Sequence, residues 1–341
     1  MSRTYGQIVA TTDLHSALDQ ANRLLPHLHD LKETSLIADC GDFFEGTGYY
    51  RLGKGAIGRE ILTTLYDVLA PGNHGWPHYF EPGLREMTIC VDSWIVLSHS
   101  GFDEDLRLAG ACPFVDVVFA GHCHSDTYGP VHVGDTLVVK GRELADGYAA
   151  AEPVGSCWAA RTAVFPAPAT IPDELTTLDE KIASICRMLA TRLGTVNEPY
   201  RDTVLDRHQL LRDVAFRLHT GLSADAVILN DTALRPIHLG DVLRLGDLLA
   251  IEPFANQLVH AFLPDRHAQA PDGLLTHLTG QTGPLAVSPG PLPPGIRSVL
   301  TTDYLADTYL GGRTHQASLR LGETVRRVIA TPLPEKEEGD R

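Results

Sequence analysis

The chain has 341 residues, of which 43% are hydrophobic and 21% are charged, and its formal net charge is -15. This length favours two domains, and the composition is ordinary for a globular protein with a buried core. A surface that binds duplex nucleic acid needs clustered lysine and arginine to displace counterions, and the sequence has no such run. Composition therefore argues against long nucleic acid and an anionic membrane as partners, whereas a small anion remains possible if metals or a few arginines reverse the local charge.

The first residues contain no apolar core of a signal peptide, and no stretch of 18 apolar residues occurs in the chain. The six cysteines stand singly rather than in CxxC pairs, which is typical of reduced thiols. From these features we expect a cytoplasmic protein without a membrane span.

Residues 1–165 alternate short apolar runs with amphipathic stretches. We predict strands within 6–13, 35–42, 115–122 and 136–141, helices over 16–31 and 58–70, and a β-rich stretch over 88–99. This alternation is typical of a layered α/β domain.

A proline- and alanine-rich segment at 166–172 follows, and a helix is predicted from Asp173. Its apolar residues recur at helical spacing from Leu175 to Leu193, and Gly194 is expected to end it.

The rest of the chain forms a second α+β region with predicted strands within 224–231 and 256–263 and a long loop at 282–297. We therefore predict four parts: a first domain (1–165), a linker with an interdomain helix (166–196), a second domain (197–330) and a disordered tail (331–341).

Five short motifs rich in aspartate, histidine and asparagine lie in the first 125 residues. In chain order they are Asp13-Leu14-His15, Gly41-Asp42, Gly72-Asn73-His74, His99 and Gly121-His122-Cys123-His124. Four of them directly follow a β-rich run, and loops at the carboxyl ends of strands converge on one crevice in α/β sheets. We therefore expect the five motifs to meet.

Carboxylates and imidazoles together are the ligands that a pair of divalent ions needs. Two ions about 3.5–4 Å apart clamp the attacking and leaving oxygens of an in-line displacement. Asn73 would supply a neutral oxygen, and His74 would give a proton to the leaving oxygen. Four further histidines are interpreted as solvated or core residues: His27, His29, His78 and His132.

The ordered set of motifs resembles the calcineurin-like metallophosphoesterase superfamily. Three later segments resemble the 5'-nucleotidase C-terminal domain: Asn230 to Arg235, Pro253 to Asn256, and Thr302 to Ala306 with Gly311-Gly312 after it. The resemblance implies a four-layer α/β-β/α metallophosphoesterase domain. A helix would join it to a smaller α+β substrate-binding domain, with the active site between the two.

The resemblance also implies roles for individual residues. One divalent ion would be held by Asp13, His15, Asp42 and His124, and the second by the bridging Asp42 with Asn73, His99 and His122. The ligand mix accepts Mn, Fe, Zn, Co or Ni. His74 would be the catalytic histidine, assisted by Asn73. Substrate would meet Asn230, Arg235 and Arg207 at the phosphate or ribose, Phe254 and Tyr304 around the base, and Asn256 in the same segment as Phe254.

Two departures from the family pattern stand out. In the family, a carboxylate just after the GNH motif orients the histidine of that motif. Here Gly75, Trp76 and Pro77 follow, so His78 or Glu81 is the expected partner of His74. Arg313 replaces a carboxylate that in the family resembles a sugar-hydroxyl acceptor. This indicates a nucleotide with an acidic sugar, unless Asp307 takes over the hydroxyl contact.

We therefore predict a metal-dependent phosphatase that converts a nucleoside 5'-monophosphate, a small-molecule substrate, to nucleoside and phosphate. An unrestrained nucleotidase would drain nucleotide pools in a cell, which favours a dedicated pathway such as nucleoside antibiotic synthesis. The alternatives are a phosphodiesterase or hydrolase acting on cyclic nucleotides or nucleotide sugars, and a nucleotide-binding regulatory protein with a decayed site.

Overall fold

The structure is a computed structural model, and it describes residues 5–79, 94–155, 157–222, 224–263 and 271–332. The chain forms two compact units, Met1–Arg187 and Met188–Arg341, hereafter unit 1 and unit 2. The division between them falls inside the predicted linker. Within the described residues, no helix has the length and apolar character needed to cross a bilayer.

Unit 1 is built of short strands and helices that alternate along the chain. Its described strands are β1 (Gln7–Thr11), β2 (Ser35–Asp39), β3 (Val68–Leu69), β4 (Ile95–Leu97), β5 (Val117–Ala120), β6 (Val131–Val133), β7 (Thr136–Lys140), β8 (Gly147–Val154) and β9 (Cys157–Val164). Its described helices are α1 (Ala21–Leu31), α2 (Gly48–Gly53), α3 (Ala56–Leu65), α4 (Trp76–Tyr79), α5 (Phe102–Ala111) and α6 (Thr176–Leu189), which runs into unit 2.

These strands form two sheets, ordered β3-β2-β1-β8-β9 and β4-β5-β7-β6. In the first sheet β1, β2 and β3 are parallel, and in the second β4, β5 and β7 are parallel. The carboxyl ends of β1, β2, β3, β4 and β5 lead into the loops that carry the five motifs.

The two sheets of unit 1 pack face to face. Alternate residues of each sheet share one core, as Ala10 and Ala38 from the first sheet and Phe119 and Val139 from the second show. Helix α1 contacts β2 and α3 on the outer side of the first sheet, and α5 packs on β5 and β7 outside the second. This is the predicted four-layer α/β-β/α arrangement, which is confirmed.

Unit 2 is an α+β unit. Its described strands are β10 (Arg192–Val196), β11 (Thr203–Val204), β12 (Val227–Asn230), β13 (His238–Leu239), β14 (Val242–Arg244), β15 (Gln257–Phe262), β16 (Leu285–Ser288), β17 (Ser298–Thr302), β18 (Arg313–Arg320) and β19 (Ala330–Thr331). Its other described helices are α7 (Arg207–Gly221), α8 (Leu245–Ile251), α9 (Pro271–Thr282), α10 (Asp303–Tyr309) and α11 (Leu321–Ile329).

A five-stranded sheet, ordered β16-β12-β17-β15-β18, forms the centre of unit 2. Helices α7 and α11 pack on one face, where Leu229 of β12 is buried. Helices α9 and α10 pack on the opposite face, where Ile228 of β12 is buried. Because β12 is covered on both faces, its side chains are apolar throughout until Asn230 ends the strand.

The structure corrects the prediction of a helix over 58–70. Helix α3 ends at Leu65, and Val68 and Leu69 form strand β3, which pairs with Ala38 and Asp39 of β2. The local apolar spacing fits a helix, but pairing with the distant β2 decides the conformation.

The predicted end of the interdomain helix at Gly194 is also wrong. Helix α6 ends at Leu189, and Gly194 lies in β10, opposite Leu243. A Cβ at Gly194 would lie 2.4 Å from the carbonyl oxygen of Thr331, so glycine is needed for the close approach of strand β19.

Two further predictions are partly wrong. The segment 282–297 contains strand β16, because these residues pair with β12. The predicted tail begins inside β19, which includes Thr331, and residues 333–341 lie outside the described part of the chain.

Candidate metal centre and base pocket

The first group of predicted ligands consists of Asp13, His15 and His124. One nitrogen or carboxylate oxygen from each lies within 4.8 Å of the others. The His124 Nε2 atom is 3.7 Å from Asp13 Oδ1, and the rings of His15 and His124 stack with centroids 5.3 Å apart. Three side chains thus surround a space of the size that one cation needs.

The second group consists of Asp42, His99 and His122, again with one ligand atom from each within 4.8 Å of the others. His99 Nε2 lies 3.2 Å from Asp42 Oδ2. The Oδ1 atom of Asn73 lies 3.0 Å from His122 Nδ1, which brings the predicted amide ligand to this group.

The two groups adjoin each other. Asp42 Oδ2 lies 3.9 Å from His15 Nε2 of the first group, and Asp13 Oδ1 lies 3.9 Å from His99 Nε2 of the second. Asp42 is therefore within reach of ligands from both groups, as a bridging carboxylate has to be.

The loops that carry these side chains contain strained backbone. Several non-glycine residues at the site have left-handed backbone conformations, with φ between 49° and 74°: Asp13, His15, Ser16, Asp42, Glu45 and His122. Such conformations cost about 1–3 kcal/mol each and persist only where the surrounding structure over-determines them. They are concentrated in the loops after β1, β2 and β5, at the edge of the sheets where the five motifs meet.

Two glycines make room at the site, Gly72 for the carboxylate of Asp42 and Gly41 for the ring of His99. A Cβ at Gly72 would lie 1.9 Å from Asp42 Oδ1, and a Cβ at Gly41, where φ is +100°, would lie 2.8 Å from His99 Nδ1. The glycines of the GD and GNH motifs are thus required by close approach.

Asp13 and His99 each make their hydrogen bonds through one side-chain atom, which leaves a second atom of each side chain available to a cation. The Thr12 hydroxyl and the His122 backbone N–H donate to Asp13 Oδ2, at 2.6 and 3.0 Å. The Nδ1 atom of His99 donates to the carbonyl oxygen of Cys40, at 2.7 Å. Among the described residues, Asp13 Oδ1 and His99 Nε2 are buried and have no hydrogen-bond partner.

A buried polar atom without a partner costs about 1–3 kcal/mol, and a cation in each group would satisfy these atoms, Asp13 Oδ1 in the first group and His99 Nε2 in the second. The donor set of carboxylate oxygens and imidazole nitrogens also suits first-row divalent ions. The residues at this edge therefore fit a pair of such ions.

The protonation states of two ligands favour cations. Burial lowers the pKa of His15 to about 4, so its imidazole is neutral at physiological pH. Burial alone would raise the pKa of Asp42, but the adjacent His99 ring and a hydrogen bond from the backbone N–H of His74 outweigh it and lower the pKa to about 2. A neutral imidazole and an ionised carboxylate are the states that bind metal.

His74 contacts a residue of each group. Its backbone N–H donates to Asp42 Oδ1 at 2.8 Å, and its ring packs edge-on against that of His15, with centroids 5.5 Å apart. Its Nδ1 atom lies 3.3 Å from Glu45 Oε2.

Glu45 therefore takes the place for which the sequence offered His78 or Glu81. The Nε2 and Nδ1 atoms of His78 lie 3.1 Å from the Tyr50 hydroxyl and 2.9 Å from an Arg59 nitrogen, and Glu81 lies outside the described residues. The one signal in the sequence was that Glu45 shares a loop with Asp42.

Two other supporting residues had no signal in the sequence. Glu143 Oε2 lies 2.6 Å from His124 Nδ1, which leaves Nε2 of that ring facing Asp13. The buried Lys140 ammonium donates to the carbonyl oxygens of Cys123 and Ser125, at 2.5 and 2.7 Å. Lys140 thereby holds the loop that carries His122 and His124.

Unit 2 contains a cavity of about 390 Å³. The described residues that line it are Asn230, Thr232, Ala233, Phe254, Asn256 and Tyr304. Four of them are predicted substrate residues, and Thr232 and Ala233, which were missed, belong to the same segment as Asn230. Phe254 and Tyr304 are 50% and 47% exposed, so two aromatic rings are accessible to a ligand.

Hydrogen bonds fix the two amides of this cavity. Asn230 Nδ2 donates to the Thr232 hydroxyl at 2.6 Å, and Asn256 Nδ2 donates to a carboxylate oxygen of Glu252 at 3.0 Å.

The three predicted arginines differ in their placement. The Cζ atom of Arg235 lies 5.6 Å from the centroid of the Phe254 ring, a cation–π contact beside the cavity. Arg207 does not line the cavity, and its Nε atom lies 3.6 Å from Asp231 Oδ2. Arg313 is the first residue of β18, and its side chain lies outside the described part of the structure.

No protein-family model and no curated protein sequence matches the chain. Solved structures do match over nearly its full length. The 5'-nucleotidase precursor from Thermus thermophilus has 15% identity and a TM-score of 0.66, with 94% of this chain and 95% of that chain covered. A putative 5'-nucleotidase from Staphylococcus aureus has 12% identity and a TM-score of 0.61, with 96% and 98% covered.

The sulfate thiohydrolase SoxB from Thermus thermophilus has 14% identity and a TM-score of 0.61, with 98% of this chain and 97% of that chain covered. At such identities the likeness shows the fold alone, which is similar to that of two-domain 5'-nucleotidases.

Proposed function

We propose that the chain is a metal-dependent phosphomonoesterase that hydrolyses a nucleoside 5'-monophosphate to nucleoside and phosphate. The observation that carries this proposal is the pair of adjoining ligand groups, with Asp42 in reach of both and His74 tied to the same carboxylate. Asp13, His15, Asp42 and His124 would hold one divalent ion, and Asp42, Asn73, His99 and His122 the other.

The bound ions would polarise the phosphoryl group and stabilise charge on the attacking and leaving oxygens. The chain's own residues supply positioning and a proton. His74 stands beside the ligand groups with its backbone fixed by Asp42, so its ring can donate a proton to the leaving oxygen. Such proton transfer contributes about 10²–10⁴-fold to a rate.

The cavity of unit 2 supports a nucleotide as substrate. Stacking of a base on an accessible aromatic ring is worth about 1–3 kcal/mol, and Phe254 and Tyr304 offer two such rings. Asn230 and Asn256 add amides at fixed positions, and Arg235 adds positive charge beside the ring of Phe254. We assign base recognition to unit 2 and hydrolysis to unit 1.

We further propose a substrate with an acidic sugar, handled in a dedicated biosynthetic pathway such as nucleoside antibiotic synthesis. The support is the arginine at position 313, where a carboxylate that accepts sugar hydroxyls would be expected. Arg313→Asp should shift preference from acidic towards plain nucleotides. An unchanged preference would refute this part of the proposal.

The test is phosphate release by the Mn²⁺-loaded protein from nucleoside monophosphates, cyclic nucleotides, nucleotide sugars and acidic-sugar nucleotides, with His74→Asn as the control. Release from monoesters that the control loses supports the proposal. Turnover of diesters alone would favour the phosphodiesterase, and binding of nucleotide without turnover would favour a regulatory protein. Thiosulfate esters belong in the panel because SoxB, named a sulfate thiohydrolase, has a similar structure.

A further inference from the structure

Glu45 reaches the catalytic centre because the loop after β2 turns sharply. Glu45 itself has φ +66°, and Gly46 follows with φ +93°. Glycine is favoured at such angles, so a glutamate at this position is held in an unfavourable conformation. The turn brings the Glu45 carboxylate to 3.3 Å from His74 Nδ1.

The contact with Glu45 determines which ring nitrogen of His74 can exchange a proton with a substrate. With Nδ1 carrying the hydrogen that Glu45 accepts, the nitrogen left to exchange a proton with a ligand is Nε2. Asp42, a second carboxylate near His74 in the described part of the chain, accepts from the backbone N–H of His74. Glu45 thus provides a carboxylate contact to the ring itself.

The charge of Glu45 also depends on His74. The hydrogen bond from His74 lowers the pKa of Glu45, and burial opposes it more weakly. The glutamate is therefore an anion, as an acceptor of the hydrogen on His74 Nδ1 has to be. Both side chains are only about one third exposed, at 36% and 37%, which limits screening by solvent.

We infer that Glu45 is the positioning residue for His74, and that it aims the Nε2–H of His74 at the leaving oxygen of the substrate. This inference rests on the proposed phosphomonoesterase function. As the bond between phosphorus and the ester oxygen breaks, that oxygen keeps the electron pair and takes the proton from Nε2. A water oxygen bonds to phosphorus and loses a proton to solvent, and solvent returns a proton to His74.

Two substrates that differ in the leaving group distinguish a positioning role of Glu45 from a purely structural one. A nucleoside 5'-oxygen needs a proton on departure, whereas p-nitrophenolate leaves without one. Glu45→Ala is expected to lower kcat for the nucleoside monophosphate about 10–100-fold, the usual loss when a partner of this kind is removed. The KM for the nucleotide, and the kcat for p-nitrophenyl phosphate, should stay at wild-type values.

Matched variants separate orientation from charge and from folding. Glu45→Gln keeps an acceptor oxygen and should recover part of the lost rate. Glu45→Gly suits the left-handed backbone, so it should fold like wild type and show the same loss as the alanine variant. Glu152→Gln removes a surface carboxylate of β8, 4.0 Å from Arg161, and should change neither substrate's rate.

An equal loss on both substrates, or no loss on either, would overturn the positioning role. Failure of the proposed function would look different, because the wild-type protein would then release phosphate from neither monoester.

Discussion

Gly72→Ala should cripple the metal centre while leaving the fold intact. The added Cβ would lie 1.9 Å from Asp42 Oδ1 and 2.3 Å from the Asp42 backbone nitrogen. Ordinary contact begins at about 3.4 Å, so the carboxylate has to retreat by roughly 1.5 Å. Displacements of about 1 Å at a catalytic group cost on the order of 10²-fold in rate. Since Asp42 is in reach of both ligand groups, we expect at least that loss.

The assay is the initial rate of phosphate release as a function of Mn²⁺ concentration, with melting temperature measured beside it. Overpacking costs about 1–3 kcal/mol, so the variant should melt at a lower temperature but remain folded. Gly110→Ala in helix α5 is the control, because its Cβ would meet Val133 at an ordinary 3.7 Å. Wild-type rate and Mn²⁺ dependence in Gly72→Ala would refute this account of the centre.

Chelation with EDTA should lower the melting temperature and Mn²⁺ should restore it, since an ion at 100 times its Kd adds about 2.7 kcal/mol to the free energy of unfolding. Identical calorimetric curves would argue against bound metal. Phe254→Ala should raise the KM for the nucleotide by a factor equivalent to about 1–3 kcal/mol of stacking, with kcat retained. Phe216→Ala, which removes another exposed ring, is its control and should leave KM unchanged. Lys140→Met removes two hydrogen bonds to the loop of His122 and should weaken Mn²⁺ binding about 10–100-fold by calorimetric titration. Wild-type affinity for Mn²⁺ in this variant would show that the loop of His122 keeps its conformation without Lys140. Burial lowers the pKa of His27 from 6.5, so the unfolded chain binds this proton first as pH falls. Relative to His27→Gln, the wild type should therefore lose stability below about pH 6.5, and urea unfolding that gives one difference at all pH values would contradict this.

Much of the fold followed from local pattern. The alternation of apolar runs and amphipathic stretches predicted an α/β unit, and the motifs predicted a common edge, because parallel strands deliver their carboxyl ends to one side of a sheet. The structure places Asp13, Asp42 and His99 there, each in a loop after such a strand. Residue type and order alone were enough for this step.

The errors occurred where distant pairing outweighed local preference. Val68 and Leu69 have the spacing of a helix but extend because β2 offers hydrogen-bond partners. Gly194 resembles the end of a helix but lies in β10, where strand β19 approaches too closely for any side chain. The local sequence pattern specifies neither which strand will pair with a segment nor how closely that strand approaches.

The supporting residues of the site were decided by the tertiary structure. The sequence by itself determined the ligand types, because carboxylate and imidazole chemistry belongs to residues wherever they stand. It did not determine that Glu45 turns back to His74, that Glu143 meets His124, or that Lys140 holds the loop between them. Those contacts join loops and strands that meet because β2 pairs with β3 and β5 pairs with β7, and no local pattern encodes which strands become neighbours.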